Sequence, residues 1–336
     1  MTLIVAHKHM NLPKSIALAC CAILALSANG LSAKAAETRS GNKTFAEWCR
    51  EKDSLSPEAK RTVEVLLQKA ETTECDAANL KLSSLTELDL DNNQISDIKP
   101  LESLTNLTML NLGNNKISDI KPLESLTNLV SLDLDNNLLG DIKPLESLTN
   151  LALLGLSKNQ ISDIKPLESL TNLVSLGLEN NLVSDIKPLE SLTNLALLAL
   201  ENNQISDIKP LASLTNLTLL GLENNHLGDI KPLESLTNLI QLYLSNNKIS
   251  DIKPLASLTK LTWLDLNNNQ ISDIKPLLSL TKLDAINLEN NQINDIKPLQ
   301  SLTNLIWLPL SGNPIAPKTC PLKPEYICKW EPQTKP

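Results

Sequence analysis

Leu85-Thr-Glu-Leu-Asp-Leu-Asp-Asn-Asn-Gln-Ile-Ser-Asp-Ile-Lys-Pro-Leu-Glu-Ser-Leu-Thr-Asn106 is a 22-residue unit that the chain repeats with few changes. The ninth residue of the unit, an asparagine, returns at the same interval and without an insertion through eleven repeats. These asparagines are Asn93, Asn115, Asn137, Asn159, Asn181, Asn203, Asn225, Asn247, Asn269, Asn291 and Asn313. Internal repeats of roughly 20 to 50 residues are the signature of solenoids and propellers. The period therefore decides the type of architecture before any other feature is considered.

The apolar residues of each unit show two different spacings. Leu110 and Leu112 alternate with polar residues, which predicts a strand with one buried face. Ile117, Ile120 and Leu123 then follow at intervals of three, which indicates tight turns or a short 3₁₀ segment on a return arc. One unit cannot bury this face alone, so we expect neighbouring units to stack and to share backbone hydrogen bonds.

The polar residues of the unit are predicted to be structural. The repeated asparagine stands where the chain leaves the strand, and its amide can both donate to and accept from buried backbone groups. Proline, as at Pro100, suits an irregular arc because it fixes φ and lacks a donor. Asp97, Lys99 and Glu102, with their copies, alternate in charge along the outer arc. We interpret them as a solvated face whose charges offset one another.

The unit Leu-x-x-Leu-x-Leu-x-x-Asn-x-Ile-Ser-Asp-Ile-Lys-Pro-Leu-x-x-Leu-Thr-Asn resembles the 22-residue subclass of leucine-rich repeats. This subclass occurs in the secreted internalins of bacteria and in a eukaryotic phosphatase regulatory subunit, and Ile-Ser-Asp-Ile and Pro-Leu-x-x-Leu-Thr make the internalin kind the more similar. The resemblance spans about Leu85 to Ile315. It implies an α/β solenoid, a curved array with a parallel β-sheet on its concave face. In that family the concave face binds a partner protein, often through aromatic residues, and catalyses nothing.

Two departures from internalins limit what the resemblance implies. The cysteine-bearing ends of the array are not those of an internalin, and no wall-anchoring or lipid-binding module follows the repeats. We therefore do not extend adhesion to host cells to this chain.

Five segments are predicted along the chain. They are a signal peptide (1–35), a linker (36–43), a helical N-terminal cap (44–84), eleven leucine-rich repeats (85–315), and a C-terminal cap and tail (316–336). Lys8 and Lys14 precede a short apolar run, and Ala33-Lys34-Ala35 offers a small-residue cleavage site, which is typical of a secretory signal. The run is too short for a good membrane span. We therefore expect a secreted or periplasmic protein.

Two short helices are predicted in the N-terminal cap. Thr44 is followed three residues later by Glu47, which is the pattern of a capping box. Ser56 before Pro57 is a favourable start for a second helix, with a hydroxyl at the N-cap and proline at the first helical position.

Four cysteines lie outside the predicted signal peptide. Cys49 and Cys75 precede the first repeat, and Cys320 and Cys328 follow the last. Ten strand spacings of about 4.8 Å separate the two groups by roughly 40–50 Å, whereas a disulfide needs Cα atoms within about 7 Å. Only Cys49–Cys75 and Cys320–Cys328 can therefore close, one in each cap. Free thiols or a zinc site are the alternative, but the chain has no Cys-x-x-Cys pair and only three histidines.

The composition disfavours several classes of function. The formal net charge is −8 and no basic patch is present, so we expect no nucleic-acid partner. His226 takes a variable position after a repeated asparagine, and no nucleophile elbow or phosphate loop occurs. Asp89 and Asp133 could attract calcium, but Gly113 in the intervening repeat argues against a closed oxygen cage. We predict a monomer that is not an enzyme, has no membrane span, and carries no metal or cofactor.

Function is expected at the strand positions that flank the inward leucines. These positions are mostly acidic in the first repeats and apolar in the middle, and three aromatic residues follow further along the chain. Exposed apolar surface with a charged rim usually marks a contact surface, and Trp and Tyr are preferred anchors. The predicted ligand-binding residues are Leu197, Leu219, Tyr243, Trp263, Trp307, Glu201, Glu223 and Asp265. The alternative is that aromatic residues are merely tolerated on an open face.

The sequence therefore predicts a non-catalytic scaffold that binds another protein through its concave face. Recognition of a carbohydrate or cell-wall polymer by the same face is the alternative, because aromatic rings beside carboxylates also suit sugars.

Overall fold

The computed structural model describes residues 43–332. The predicted signal peptide, most of the predicted linker and the last four residues lie outside the described residues. The chain divides into two compact units, whose described parts are residues 43–194 and 195–332. The boundary falls between two repeats, which is possible because a solenoid has no single closed core.

The first unit begins with three helices, α1 (Phe45–Arg50), α2 (Pro57–Ala70) and α3 (Cys75–Ser83). The capping box is confirmed at α1, where the Thr44 side chain accepts a hydrogen bond from the backbone N–H of Glu47 and the Glu47 carboxylate accepts one from that of Thr44. The start of α2 is also confirmed, because Ser56 accepts from the N–H of Ala59. Helix α3 was not predicted. It buries only two residues, so its sequence carries little helical periodicity.

Five parallel strands follow in the first unit. They are β1 (Glu87–Asp89), β2 (Met109–Asn111), β3 (Ser131–Asp133), β4 (Leu153–Gly155) and β5 (Ser175–Gly177). Each strand pairs with the next along the chain, and equivalent residues of successive repeats lie side by side. The return arcs are 3₁₀ helices at Lys99–Leu101, Lys121–Ser125, Lys143–Ser147, Lys165–Ser169 and Lys187–Ser191.

The second unit continues the same pattern. Its parallel strands are β6 (Leu197–Ala199), β7 (Leu219–Gly221), β8 (Gln241–Tyr243), β9 (Trp263–Asp265) and β10 (Ala285–Asn287), paired in chain order. Strand β11 (Leu308–Pro309) then pairs with β12 (Cys328–Lys329), also in parallel. The 3₁₀ helices are Lys209–Ser213, Lys231–Ser235, Lys253–Ser257, Lys275–Ser279, Lys297–Ser301 and Glu325–Ile327.

The hydrophobic core of each unit is a stack of similar aliphatic layers. In the repeat that begins at Leu107, all seven aliphatic positions are buried, namely Leu107, Leu110, Leu112, Ile117, Ile120, Leu123 and Leu126. The alternating leucines and the residues spaced three apart all point inward, as predicted. Because each layer packs on the next, the leucine-rich-repeat solenoid is confirmed within each unit.

The repeated asparagine forms the predicted ladder. The Oδ1 atom of Asn247 accepts a hydrogen bond from the backbone N–H of Leu227 in the preceding repeat at 3.0 Å. Its Nδ2 donates to the carbonyl of Leu222 at 2.9 Å and to that of Leu244 at 3.1 Å. The side chain thus joins two repeats and satisfies backbone groups that the turn leaves unpaired. The same contacts recur at Asn115, Asn137, Asn159, Asn225, Asn269, Asn291 and Asn313.

The residue before each ladder asparagine adopts a left-handed conformation. At Asn246 φ is 55°, and the equivalent Lys158 and Gly312 have φ of 55° and 73°. Asparagine tolerates this region better than other residues with a Cβ, because its short side chain can hydrogen-bond locally. The Asn-Asn pair of the repeat therefore has two separate structural roles, of which the sequence revealed only the second.

The outer arc is solvated, as predicted, but its aspartates also have a structural role. Asp251 accepts a hydrogen bond from the backbone N–H of Lys253 at 3.0 Å, at the start of a 3₁₀ helix. The equivalent bond is 2.8 to 3.0 Å long in nine other repeats. The aspartates therefore form Asx-turns that lead into the 3₁₀ helices. The predicted charge compensation is weak, because the Lys253–Asp251 ion pair measures 3.7 Å and is exposed.

Both predicted disulfides are present. Cys49 in α1 is bonded to Cys75 at the start of α3 with a Cα–Cα distance of 5.6 Å, and Cys320 to Cys328 in β12 with 5.8 Å. Helix α2 contacts the first repeat, where the Thr62 hydroxyl donates to the carbonyl of Asp97 at 2.6 Å. At the other end, the N–H of Leu310 donates to the carbonyl of Lys329 at 2.8 Å.

Candidate functional site

The three predicted aromatic residues lie on the outward face of the sheet in residues 195–332. The inward leucine of each strand is flanked by two outward side chains, because successive side chains of a strand point to opposite faces. Trp263 lies opposite Ala285, and Ala285 lies opposite Trp307, so the two tryptophans share one column with an alanine between them. Tyr243 stands in the neighbouring column, opposite Asp265.

These three rings form one continuous group, which we call the aromatic cluster (Tyr243, Trp263 and Trp307). The ring centroids of Tyr243 and Trp263 are 6.3 Å apart with an interplanar angle of 37°, which confirms that the two rings lie within reach of one another. Those of Trp263 and Trp307 are 5.5 Å apart at 16°, a stacked arrangement. Strands two apart are separated by about 9.6 Å, so the two indoles lean together over the buried Ala285.

The carboxylates beside the aromatic cluster are held in place by neighbouring side chains. One oxygen of Asp265 accepts from the backbone N–H of Asn267 at 3.1 Å and from its Nδ2 at 2.9 Å. Glu223 accepts from the hydroxyl of Ser245 in the next repeat at 2.7 Å. Glu201 lies over Gly221, where a Cβ atom would come within 1.9 Å of the carboxylate oxygen. The small residue at position 221 therefore makes room for this acid.

These three carboxylates affect the pKa of the Tyr243 hydroxyl. Burial, first, and then the negative charges of Glu223, Asp265 and Glu201 together raise the pKa of Tyr243 to about 12. The Tyr243 hydroxyl itself donates to Oε1 of Gln241 at 3.4 Å. The phenol thus sits where the aromatic and the acidic parts of the face meet.

The predicted site residues separate into a floor and a rim. Leu197, Glu201 and Asp265 are only 8%, 5% and 9% exposed, so they form the floor and offer little surface to a ligand. Leu219, Glu223 and the aromatic cluster are half-buried and provide the accessible surface. One further acid was not predicted. Glu289 accepts from the Ser311 hydroxyl at 2.8 Å, and its place in the repeat, equivalent to Glu223, is the signal that could have identified it.

The acidic end of the first unit has a different character. Burial and the charge of Asp133 raise the pKa of Asp135 to about 7. Asp135 accepts from the backbone N–H of Ser157 at 2.7 Å, and the pKa of Asp133 is also raised, mainly by burial. Within residues 43–332, no group of three or more His, Cys, Asp or Glu side chains is arranged to hold a metal ion. No helix in the same range is long and apolar enough to cross a membrane.

A family model for leucine-rich repeats in two copies matches the chain in eight stretches. These are residues 83–125, 105–147, 149–191, 171–213, 193–235, 215–257, 237–279 and 259–301. No curated protein sequence matches the chain.

Solved structures provide the closer comparisons. The chain is similar to an internalin (inlF) from Listeria monocytogenes, with 35% identity and a TM-score of 0.68 over 82% of this chain and 86% of that one. A leucine-rich-repeat protein from Leptospira interrogans is 30% identical, with a TM-score of 0.66 over 75% of this chain and 73% of that one. The Arabidopsis receptor kinase HAESA is 26% identical, with a TM-score of 0.60 over 69% of this chain and 42% of that one. Repeat period, asparagine ladder, family match and structural similarity agree, and the chain belongs to the leucine-rich-repeat family, as an internalin-like member with a disulfide in each cap.

Proposed function

We propose that the outward sheet face of residues 195–332 binds a partner protein and that the chain works as a non-catalytic scaffold. Leucine-rich-repeat solenoids serve in general as scaffolds for protein binding, and the HAESA structure is a complex with a peptide hormone and a co-receptor. The observation that carries the proposal is the aromatic cluster. Three of the seven aromatic residues of the chain meet on one outward face.

The physical reason is the combination of a rigid base and rigid side chains. Tyr243 and Trp263 stand on β8 and β9, which pair in parallel on both sides, and Trp307 is bridged to Ala285. The rings are therefore positioned before a partner arrives. Preorganised aromatic anchors lose little conformational entropy on binding, and they supply much of the affinity of protein interfaces. Neither a nucleophile nor a metal is needed for this role.

We further propose that the mature protein is secreted or periplasmic, after removal of residues 1–35. The two disulfides support this, because such bonds persist in oxidising compartments. We also propose that the N-terminal cap spans residues 44–84, the repeat array residues 85–315, and the C-terminal cap and tail residues 316–336.

The test begins with capture of partners from the secreted proteins of the source organism, followed by calorimetry on the purified pair. Trp263→Ala should weaken binding by about 2 kcal/mol or more, as expected for a desolvated anchor. Lys253→Ala is the control, because Lys253 is exposed on a return arc. Loss of binding in the control with full binding by Trp263→Ala would place the site on the outer arc. A glycan array tests the carbohydrate alternative.

A further inference from the structure

The outward face of residues 195–332 has an uneven distribution of charge. Four carboxylates lie on this face, either at an outward strand position or two residues before a ladder asparagine. These belong to Glu201, Glu223, Asp265 and Glu289. At the same positions within this range there is no lysine or arginine, because all the lysines lie on the turns, return arcs and C-terminal cap. Glu223 is half-exposed, whereas Glu201, Asp265 and Glu289 are buried. A partner that covers this face therefore meets one carboxylate at the surface and the negative charge of the others from below.

Two of these carboxylates are fixed beside the rings. The Ser245 hydroxyl donates to Glu223, and the backbone N–H and Nδ2 of Asn267 donate to Asp265, so both acids are held in place by hydrogen bonds. Both charges reach the Tyr243 hydroxyl, whose pKa they raise. An aromatic ring flanked by fixed carboxylates is the arrangement that attracts a cationic group, through the ring face and through charge-assisted hydrogen bonds together.

The stacking within the cluster disfavours a flat sugar as the ligand. Trp307 stacks on Trp263 with centroids 5.5 Å apart, and Tyr243 lies tilted beside Trp263 at 6.3 Å, so one face of each indole is covered by the other. A sugar that stacks needs an open ring face, whereas a peptide can pack its side chains against ring edges and reach the Glu223 carboxylate.

We propose that the cluster receives a basic segment of a partner protein, with an arginine or lysine side chain against Tyr243 and beside the accessible carboxylate of Glu223. This inference rests on the proposed protein-binding function and specifies the chemistry of the partner. Arginine fits best, because its planar guanidinium can lie against a ring while it donates to the Glu223 carboxylate. The buried Asp265 adds its negative charge from below.

A defined peptide tests this without knowledge of the natural partner. The probe is a blocked Gly-Arg-Gly-Arg-Gly-Arg peptide, compared with the same peptide carrying citrulline, which keeps the shape of arginine and removes its charge. Titration of the purified protein, followed by tryptophan fluorescence and by calorimetry, should give at least tenfold weaker binding for the citrulline peptide. Equal binding of the two peptides, or binding of neither, overturns the inference.

Variants of the protein locate the bound cation. Glu223→Gln should lose at least tenfold in affinity for the arginine peptide and keep its thermal midpoint, because the glutamine oxygen can still accept from Ser245. Glu234→Gln removes one exposed charge from a return arc and should change nothing. An equal loss in both variants means nonspecific attraction to an acidic protein and overturns the inference.

The remaining outcomes separate this inference from the function on which it rests. Suppose that Trp263→Ala abolishes binding of a captured protein, but the arginine peptide binds no better than the citrulline peptide. The protein-binding function is then supported, and the proposed basic segment is rejected. Binding of chitohexaose that Trp263→Ala abolishes makes the ligand a glycan. Self-association in sedimentation, abolished by Trp263→Ala, makes the occupant a second copy of the chain.

Discussion

Replacement of Asn247 by alanine should destabilise the second unit more than most single substitutions. The side chain is 8% exposed and makes four hydrogen bonds to the backbone. Alanine leaves the N–H of Leu227 without its acceptor, and a buried unsatisfied donor costs about 1–3 kcal/mol. The lost bonds to three carbonyls add roughly 0.5–1 kcal/mol each. We expect the free energy of unfolding to fall by about 3–5 kcal/mol.

Asn247→Asp separates the two functions of this amide. The carboxylate can still accept from Leu227, but it places a negative charge against the carbonyl oxygens of Leu222 and Leu244. At neutral pH this variant should therefore be no more stable than Asn247→Ala. A protonated carboxyl can donate one bond, so its native pKa should be raised and stability should be regained as the pH falls.

Urea unfolding of each variant, followed by circular dichroism, gives the change in midpoint and slope. Hydrogen exchange at Leu227 reports the single broken contact, because that amide is protected by Asn247 alone among the bonds described for it. The control is Lys248→Ala, an exposed neighbour that should change stability by less than about 0.5 kcal/mol. A loss below about 1 kcal/mol for Asn247→Ala, with Leu227 still protected, would refute the role given to the ladder.

Three further predictions concern the caps, the acidic end and the aromatic cluster. The two disulfides close segments with sequence separations of 26 and 8, so Cys49→Ser should cost about 3.5 kcal/mol and Cys320→Ser about 2.5 kcal/mol by loop entropy; urea midpoints in the reverse order contradict this. Native Asp135 keeps its proton up to about pH 7, whereas an unfolded carboxyl loses it near pH 4. The free energy of unfolding should therefore fall as the pH rises from about 4 to about 7. Asp135→Asn should flatten that profile in thermal melts, and an unchanged slope would assign the effect to another group. The stacked indoles should give an exciton couplet in circular dichroism that disappears in Trp307→Ala; a couplet that survives would mean that Trp263 and Trp307 do not stack in solution.

The sequence predicted most of the fold because its period also determines which residues touch. Equivalent residues of successive repeats lie side by side, so a 22-residue shift of the sequence yields the strand register directly. The cysteine pairing followed from the same geometry. Helix α3 could not be predicted in this way, because it lies outside the repeats and buries only Ala78 and Leu82.

The candidate site was predicted less completely, because exposure depends on the size of neighbours as well as on position. Leu197 was predicted as a contact residue, but it is almost covered. The stacking of Trp307 on Trp263 depends on the alanine between them, and a larger side chain at position 285 would separate the rings. The sequence shows which residues share a column of the sheet, but it does not show how each side chain is oriented.

The asparagine ladder also determines the order in which the repeats can complete their hydrogen bonds during synthesis. Each ladder oxygen receives the N–H of the preceding repeat, as Asn247 does for Leu227 and Asn269 for Ile249. Because a ribosome delivers the chain from its amino end, a repeat that has emerged still has an unmet donor until about one more repeat has been synthesised. Each repeat is therefore completed by its successor. The folded part should lag the growing end by one unit throughout synthesis, until the C-terminal cap closes the last edge.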